Sequence, residues 1–337
     1  MSKPVRVLVV DDSAFYRKRI RQCLEKSPRI EVVGEAWNGE EASRLNRSLE
    51  PDLITMDVVM PVLDGIAAVR RIMRERPVPV VMFSSFTREG ARATLDALEA
   101  GAVDFVPKVT SDNSEGETAG ARLRDKVLGL VRTGDDEAPA LAIEKASAPV
   151  APPELLLIGA STGGPMAVQE VLAGLPADFS LPVLVAIHMP AAFTVTYAER
   201  LDALIPLRVR EAFDGMPLRP GEVVIAPGGR QTLVERRGAA LKVRVTEDEG
   251  LYRPSVDRLF SSAAKVTGER TLAIVLTGMG SDGTEGARRI HEAGGQVWAQ
   301  DRDTSVVYGM PQSVVRAGVT DRELPLQAVA DAVREVV

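Results

Sequence analysis

Apolar residues in the first third of the chain come in short runs, each closed by a polar or turn-forming residue. Val5–Val10 (VRVLVV) ends in Asp11-Asp12-Ser13, and Ile30–Val33, Leu53–Met56, Val78–Phe83 and Ala102–Val106 repeat the arrangement. Such runs suit strands buried on both faces. Between them apolar residues fall at helical spacing, as in Phe15–Leu24 and Gly65–Arg74. This alternation predicts a doubly wound parallel sheet over residues 1 to about 130.

The pattern then breaks. Thr110–Gly120 is rich in Ser, Asp, Glu, Gly and Thr, a helix pattern covers Ala121–Val131, and a Pro/Ala/acidic stretch runs through Pro153. This composition predicts an interdomain linker with one helix inside it. Strand-like runs return at Leu155–Ile158, Leu181–Ile187, Val223–Ala226, Leu272–Leu276 and Gln296–Ala299, with a hairpin around Gly238. The second domain is therefore also α/β, with a mostly parallel sheet and an antiparallel hairpin. No internal repeat is visible.

Composition narrows the function. Hydrophobic residues make up 45% and charged residues 26%, values of a soluble globular protein. With 41 basic against 47 acidic residues the net charge is −6, and no basic excess exists to bind nucleic acid. A single cysteine, Cys23, excludes an internal disulfide and suits a reducing cytoplasm. Two histidines, His188 and His291, are too few for a multi-histidine metal centre. Arg6, Asp11 and Asp12 interrupt what would be the apolar core of a signal peptide. Phe179–Ala198 lacks Asp, Glu, Lys and Arg, but Pro182, His188 and Pro190 make it a strand, a turn and a helix start, so no membrane insertion is expected.

In open α/β sheets chemistry collects at the carboxyl ends of the strands. Asp11 and Asp12 end the first strand, Asp57 the third and Ser84 the fourth, and Lys108 follows the fifth. Any one of these aspartates could simply cap a helix. Three carboxylates together repel unless a cation sits among them; oxygen ligands of this kind select a hard ion, and Mg2+ is one that keeps waters and shares ligands with phosphate. With the hydroxyl of Ser84 and the charge of Lys108 they make a site for accepting a phosphoryl group.

The set Asp11-Asp12-Ser13, Asp57-Val58-Val59-Met60-Pro61-Val62-Leu63-Asp64-Gly65, Ser84, Phe105 and Lys108 resembles a response-regulator receiver domain, with the (βα)5 fold, over roughly residues 4–125. The resemblance implies that Asp57 is the phosphoacceptor, that a histidine kinase of the CheA type donates the phosphoryl group, and that Asp11, Asp12, Asp57 and the backbone carbonyl of Val59 hold Mg2+. Ser84 and Phe105 would be the switch pair. Val109 departs from the family, which usually has Pro after the lysine.

Gly159-Ala160-Ser161-Thr162-Gly163 fits the G-x-S-x-G nucleophile elbow, between a strand and a helix that opens with Pro165. A Gly-rich turn without catalysis has the same pattern. A phosphate cradle is a third reading, but the P-loop lysine is missing. A serine nucleophile needs a base. His188 at a strand end on the same sheet edge can reach Ser161, whereas His291 lies mid-helix.

Gly278-Met279-Gly280-Ser281-Asp282-Gly283 satisfies the dinucleotide fingerprint G-x-G-x-x-G, with Asp301 at a fitting distance. Alone it suggests a dinucleotide-dependent oxidoreductase. The loop comes late in its domain, however, and Asp282 would repel a pyrophosphate. The better use has Asp282 orienting His188 and the backbone N–H of Met279 facing a reacting carbonyl.

Taken with Pro227-Gly228-Gly229, Arg253-Pro254-Ser255-Val256-Asp257 and Tyr308-Gly309-Met310-Pro311, these segments make residues 153–337 resemble the CheB-type protein-glutamate methylesterase domain, leaving 126–152 as linker. The resemblance implies Ser161 as nucleophile, His188 as general base and then acid, Asp282 as the orienting carboxylate, and backbone N–H groups of Met279 and Thr162 as the oxyanion donors. It needs no cofactor in the esterase site. The substrate would be a γ-glutamyl methyl ester on a methyl-accepting chemoreceptor, and family members can also deamidate receptor glutamines. In the family the unphosphorylated receiver obstructs receptor access. A catalytically inactive receptor-binding adaptor is the competing reading, against which Ser161, His188 and Asp282 stand intact.

Overall fold

The computed structural model describes residues 3–85, 87–108, 114–131 and 151–337. The chain divides into two compact units, Met1–Ala138 and Pro139–Val337. The first holds β1 (Val5–Val10), α1 (Ala14–Leu24), β2 (Ile30–Ala36), α2 (Gly39–Leu49), β3 (Leu53–Asp57), α3 (Gly65–Glu75), β4 (Val80–Ser84), α4 (Arg88–Glu99), β5 (Asp104–Pro107) and α5 (Ser114–Leu130). Its sheet has the order β2-β1-β3-β4-β5 and every pairing is parallel. β3 and β4 are buried at every position, as expected of mostly apolar strands covered on both faces.

The helix pattern assigned to the linker is the last three turns of α5. This helix packs on α1. Leu123, Val127 and Leu130 are buried at helical spacing, so a boundary at 125/126 falls inside one continuous element. Val109 and most of the linker segment lie outside the described residues.

The second unit holds β6 (Leu155–Ala160), α6 (Gly164–Ala173), β7 (Val183–Ile187), α7 (Ala191–Leu204), β8 (Arg208–Glu211), β9 (Glu222–Ile225), β10 (Gln231–Arg237), β11 (Ala240–Thr246), α8 (Val256–Val266), β12 (Thr271–Val275), α9 (Thr284–Glu292), β13 (Gln296–Gln300), α10 (Gly309–Arg316), β14 (Arg322–Leu324) and α11 (Leu326–Val336). Seven strands form a parallel sheet in the order β14-β13-β12-β6-β7-β9-β8. β10 and β11 pair antiparallel in a separate two-stranded sheet, the hairpin expected around Gly238. The hairpin and α8 cover one face, joined in a core with Leu157, Leu184, Phe260 and Ile290. α6 and α11 pack together. Among the described residues no helix is long and apolar enough to cross a membrane.

Two strands had no apolar run to announce them. β8 (RVRE) buries only Val209, and β14 (REL) is part-exposed throughout. Both lie at sheet edges, where one row of backbone groups and much of the side-chain surface stays in water, so neither needs an apolar run.

The loop after β3 folds back on its own strand. Gly65 donates its N–H to the Val58 carbonyl at 2.9 Å, and Asp64 caps α3 by accepting from the Ala67 N–H at 2.8 Å. A Cβ on Gly65 would stand 2.0 Å from the Asp57 carbonyl oxygen, a contact with backbone that no rotamer relieves. Gly65→Ala is therefore expected to lower the stability of the first unit by about 1–3 kcal/mol, the usual range for overpacking. Urea denaturation followed by the fluorescence of Trp37 checks this, and an unchanged midpoint refutes it.

Candidate active site and phosphoacceptor site

In the first unit the sheet brings four of the five expected groups into contact. Lys108 Nζ lies 2.8 Å from Asp11 Oδ2 and 2.7 Å from Asp57 Oδ2. Asp12 joins the same cluster, each of the three carboxylates offering an oxygen within 4.8 Å of the others. Asp11 and Asp57 are anchored, Asp11 accepting from the Ser13 N–H at 2.9 Å and Asp57 from the Val58 N–H at 2.8 Å. Burial pushes the Asp57 carboxyl up; Lys108 opposes this and the Asp11 charge adds to it. Burial by itself would lower the Lys108 ammonium, but its bonds to Asp11 and Asp57 prevail and hold it above its ordinary value. Three hard oxygen donors around one ammonium fit a divalent ion of the Mg2+ type.

Ser84 is buried at the end of β4, and its hydroxyl donates to the Gly90 carbonyl at 3.0 Å. Phe105 is buried on β5. Val59 lies on the loop after β3 and is 76% exposed.

In the second unit, parallel pairing of β6 with β7 aligns Ala160 with Ile187. Ser161 and His188 are the next residue on each chain, and the His188 N–H donates to the Ala160 carbonyl at 3.2 Å. Gly163 stands at φ +75°, the left-handed turn that starts α6 directly behind Ser161. The loop after β12 lies alongside, because the Ser161 N–H donates to the Thr277 carbonyl at 3.0 Å and Thr277 Oγ1 to the Thr162 carbonyl at 2.9 Å. The N–H groups of Thr162 and Met279 have no hydrogen-bond partner among the described residues. The Ser161 hydroxyl likewise makes no hydrogen bond among them.

His188 Nε2 lies 2.8 Å from Asp282 Oδ2. Asp282 is buried and also accepts from Ser255 Oγ at 2.9 Å, the Val256 N–H at 2.8 Å and the Asp257 N–H at 2.9 Å, all at the N-terminus of α8. Burial alone would raise its carboxyl; the bond to His188 and these helix-end amides outweigh burial and hold it below the ordinary carboxylate value. Asp257 makes the reverse contact. Its Oδ1 accepts from the Gly283 N–H at 2.9 Å and the Gly286 N–H at 2.8 Å, at the N-terminus of α9.

That arrangement removes the dinucleotide reading of Gly278–Gly283. The helix-end amides a pyrophosphate would need are already bound by the Asp257 carboxylate. Asp301 is also engaged, accepting from the Thr304 N–H at 3.0 Å and from its hydroxyl at 2.6 Å in a local turn. His291 is exposed in the last turn of α9.

Sequence reading missed Tyr252. Its ring stacks on His188, with centroids 4.3 Å apart and planes 1° from parallel. Its one sequence signal is its place directly before the segment Arg253–Asp257.

A receiver fold with a phosphoacceptor-like cluster, joined in one chain to a second parallel α/β unit, defines a response regulator that carries its own output domain. The CheB methylesterase family matches residues 156–333, and the response regulator receiver domain matches residues 7–115. The chain belongs to the CheB methylesterase family. It is 47% identical to a protein-glutamate methylesterase/protein-glutamine glutaminase of Alkalilimnicola ehrlichii, over 97% of this chain and 98% of the relative. It is 46% identical to such a protein of Saccharophagus degradans, over 96% of this chain and 97% of the relative. The crystal structure of the Thermotoga maritima CheB methylesterase catalytic domain superposes with a TM-score of 0.54 at 38% identity, covering 56% of this chain and all 100% of that one.

Removing the Asp282 carboxylate would leave buried donors of α8 unpaired. Asp282→Ala should therefore lower the stability of the second unit by about 3 kcal/mol at neutral pH. Because the folded-state value is depressed, the contribution is complete above the unfolded carboxylate value of about 4 and is lost as pH falls through the lower folded value. Thermal unfolding from pH 7 to pH 2 should show the two proteins converging on acidification; a constant difference contradicts the assignment.

Proposed function

We propose that this chain is a phosphorylation-controlled serine esterase. It hydrolyses glutamate γ-methyl esters on methyl-accepting chemoreceptors in the cytoplasm and deamidates receptor glutamines at the same site. The observation that carries the reading is the His188–Asp282 hydrogen bond at a strand end next to Ser161, in a chain of this family.

Asp282 is ionised, so its partner Nε2 carries the imidazole proton and Nδ1 keeps the lone pair. Nδ1 is then the nitrogen left to act as base for the serine. Ser161 Oγ attacks the ester carbonyl carbon as its proton moves to Nδ1. Negative charge developing on the carbonyl oxygen is met by the N–H groups of Thr162 and Met279. The imidazolium gives its proton to the departing methoxide, releasing methanol and leaving an acyl-enzyme. Water, deprotonated at Nδ1, then attacks the acyl carbon, and Ser161 leaves with the returned proton. A glutamine amide follows the same course with ammonia as leaving group.

In the receiver, Asp57 accepts the phosphoryl group from a CheA-type histidine kinase. Asp11, Asp12, Asp57 and the Val59 carbonyl would hold Mg2+, which when bound offsets charge on the transferring group. Lys108 pairs with the phosphoryl oxygens, and Ser84 with Phe105 passes on the change.

Ser161→Ala is expected to abolish methanol release from methylated receptor membranes while the fold persists. Asp282→Asn should lower kcat by about 10⁴-fold, the effect of mis-set imidazole in other triads. Near-normal turnover in either variant sinks the triad. Separately, a small-molecule phosphodonor with Mg2+ should raise activity of the full chain. Asp57→Ala should lose that response and keep basal turnover; a response that survives the substitution places phosphorylation elsewhere.

A further inference from the structure

Asp282 fixes His188 at one edge. A hydrogen bond to Nε2 sets the distance between the two groups but leaves the imidazole free to roll about the Nε2···Oδ2 direction. Rolling tilts Nδ1 away from a neighbouring hydroxyl, and small misplacements of a base are costly to rate. Something must hold the ring plane.

We infer that Tyr252 is the positioning residue that holds it: the face of its ring, stacked on the imidazole, sets the plane in which Nδ1 meets Ser161. The inference rests on the reading of His188 as the base for Ser161, and deepens it. The planes are 1° from parallel with centroids 4.3 Å apart, an offset stack that rolling would break. The His188 side chain is only 12% exposed, with the tyrosine stacked on its face and Asp282 bonded at its edge. During acyl transfer the imidazole gains a proton, and a cation over an aromatic face is favoured. The stack therefore strengthens as the base becomes charged.

Tyr252 is itself fixed by the network that holds Asp282. Gln231 is fully buried; its Nε2 donates to the Tyr252 carbonyl at 2.8 Å and its Oε1 accepts from the Ser255 N–H at 3.0 Å. Ser255 Oγ in turn donates to Asp282 Oδ1 at 2.9 Å. A Cβ on Gly280 would stand 3.2 Å from the Tyr252 hydroxyl, so the ring also lies against the loop that carries Met279 and Asp282. Edge and face of His188 are thus set by one connected segment.

The test compares Tyr252→Phe and Tyr252→Leu in the full chain. Only two histidines are present, so His291→Asn leaves His188 as the single imidazole in proton NMR spectra. Tyr252→Phe should keep the ring-current shift of the His188 carbon-bound protons and hold kcat within about threefold. Tyr252→Leu should lose that shift and lower kcat about tenfold, with KM within about twofold. If Tyr252→Leu keeps kcat within about twofold, or if Tyr252→Phe falls as far as Tyr252→Leu, the positioning role of the ring is wrong. Absence of methanol release from the unsubstituted chain would overturn the esterase reading itself, whereas an active chain indifferent to Tyr252→Leu overturns only the role of Tyr252.

Discussion

Asp282, on the loop entering α9, caps α8, and Asp257, in the first turn of α8, caps α9. This reciprocal capping is what the second unit's chemistry depends on. A carboxylate buried in an apolar interior without partners would take up a proton instead of staying charged. Here the bond to His188, joined by the free N–H groups that the start of α8 turns toward Asp282, keeps it ionised. An ionised Asp282 can only accept, so it decides that Nε2 of His188 carries the imidazole proton. The electrostatics of the site is thus a by-product of how two helices pack, and it exists only when both have formed.

The receiver solves a similar problem with different means. Its carboxylates Asp11, Asp12 and Asp57 come from two adjacent strands and repel one another. Lys108 lies between two of them and offsets the repulsion. The outcomes differ: burial prevails over Lys108 and pushes the Asp57 carboxyl up, whereas His188 and the helix amides prevail over burial and hold the Asp282 carboxyl down.

Much of this was legible in order along the chain. The apolar runs at Val5–Val10, Leu53–Met56 and Leu155–Ile158 specify strands buried on both faces, and the candidate site residues follow their ends because βα turns in a parallel sheet all open on one edge. Local composition was misleading where packing was longer-range. The stretch after Gly120 reads as linker, yet three apolar residues at helical spacing suffice to dock α5 on α1. β8 and β14 carry too few apolar residues to stand out, because an edge strand is half solvated.

By itself, then, the sequence determined two α/β units and offered as candidates the strand-end aspartates with Lys108, and Ser161 with His188 and Asp282. Each of these rests on local pattern, which survives translation into one dimension. Only tertiary structure decided that Asp282 is bound by α8, that Asp257 returns the contact, that Nε2 and not Nδ1 faces the carboxylate, and that Tyr252 covers the imidazole. Those contacts join residues from about 25 to 94 positions apart. No periodicity encodes which of many possible partners a folded chain will bring to such a distance. Packing of α8 against α9 and the sheet makes that choice.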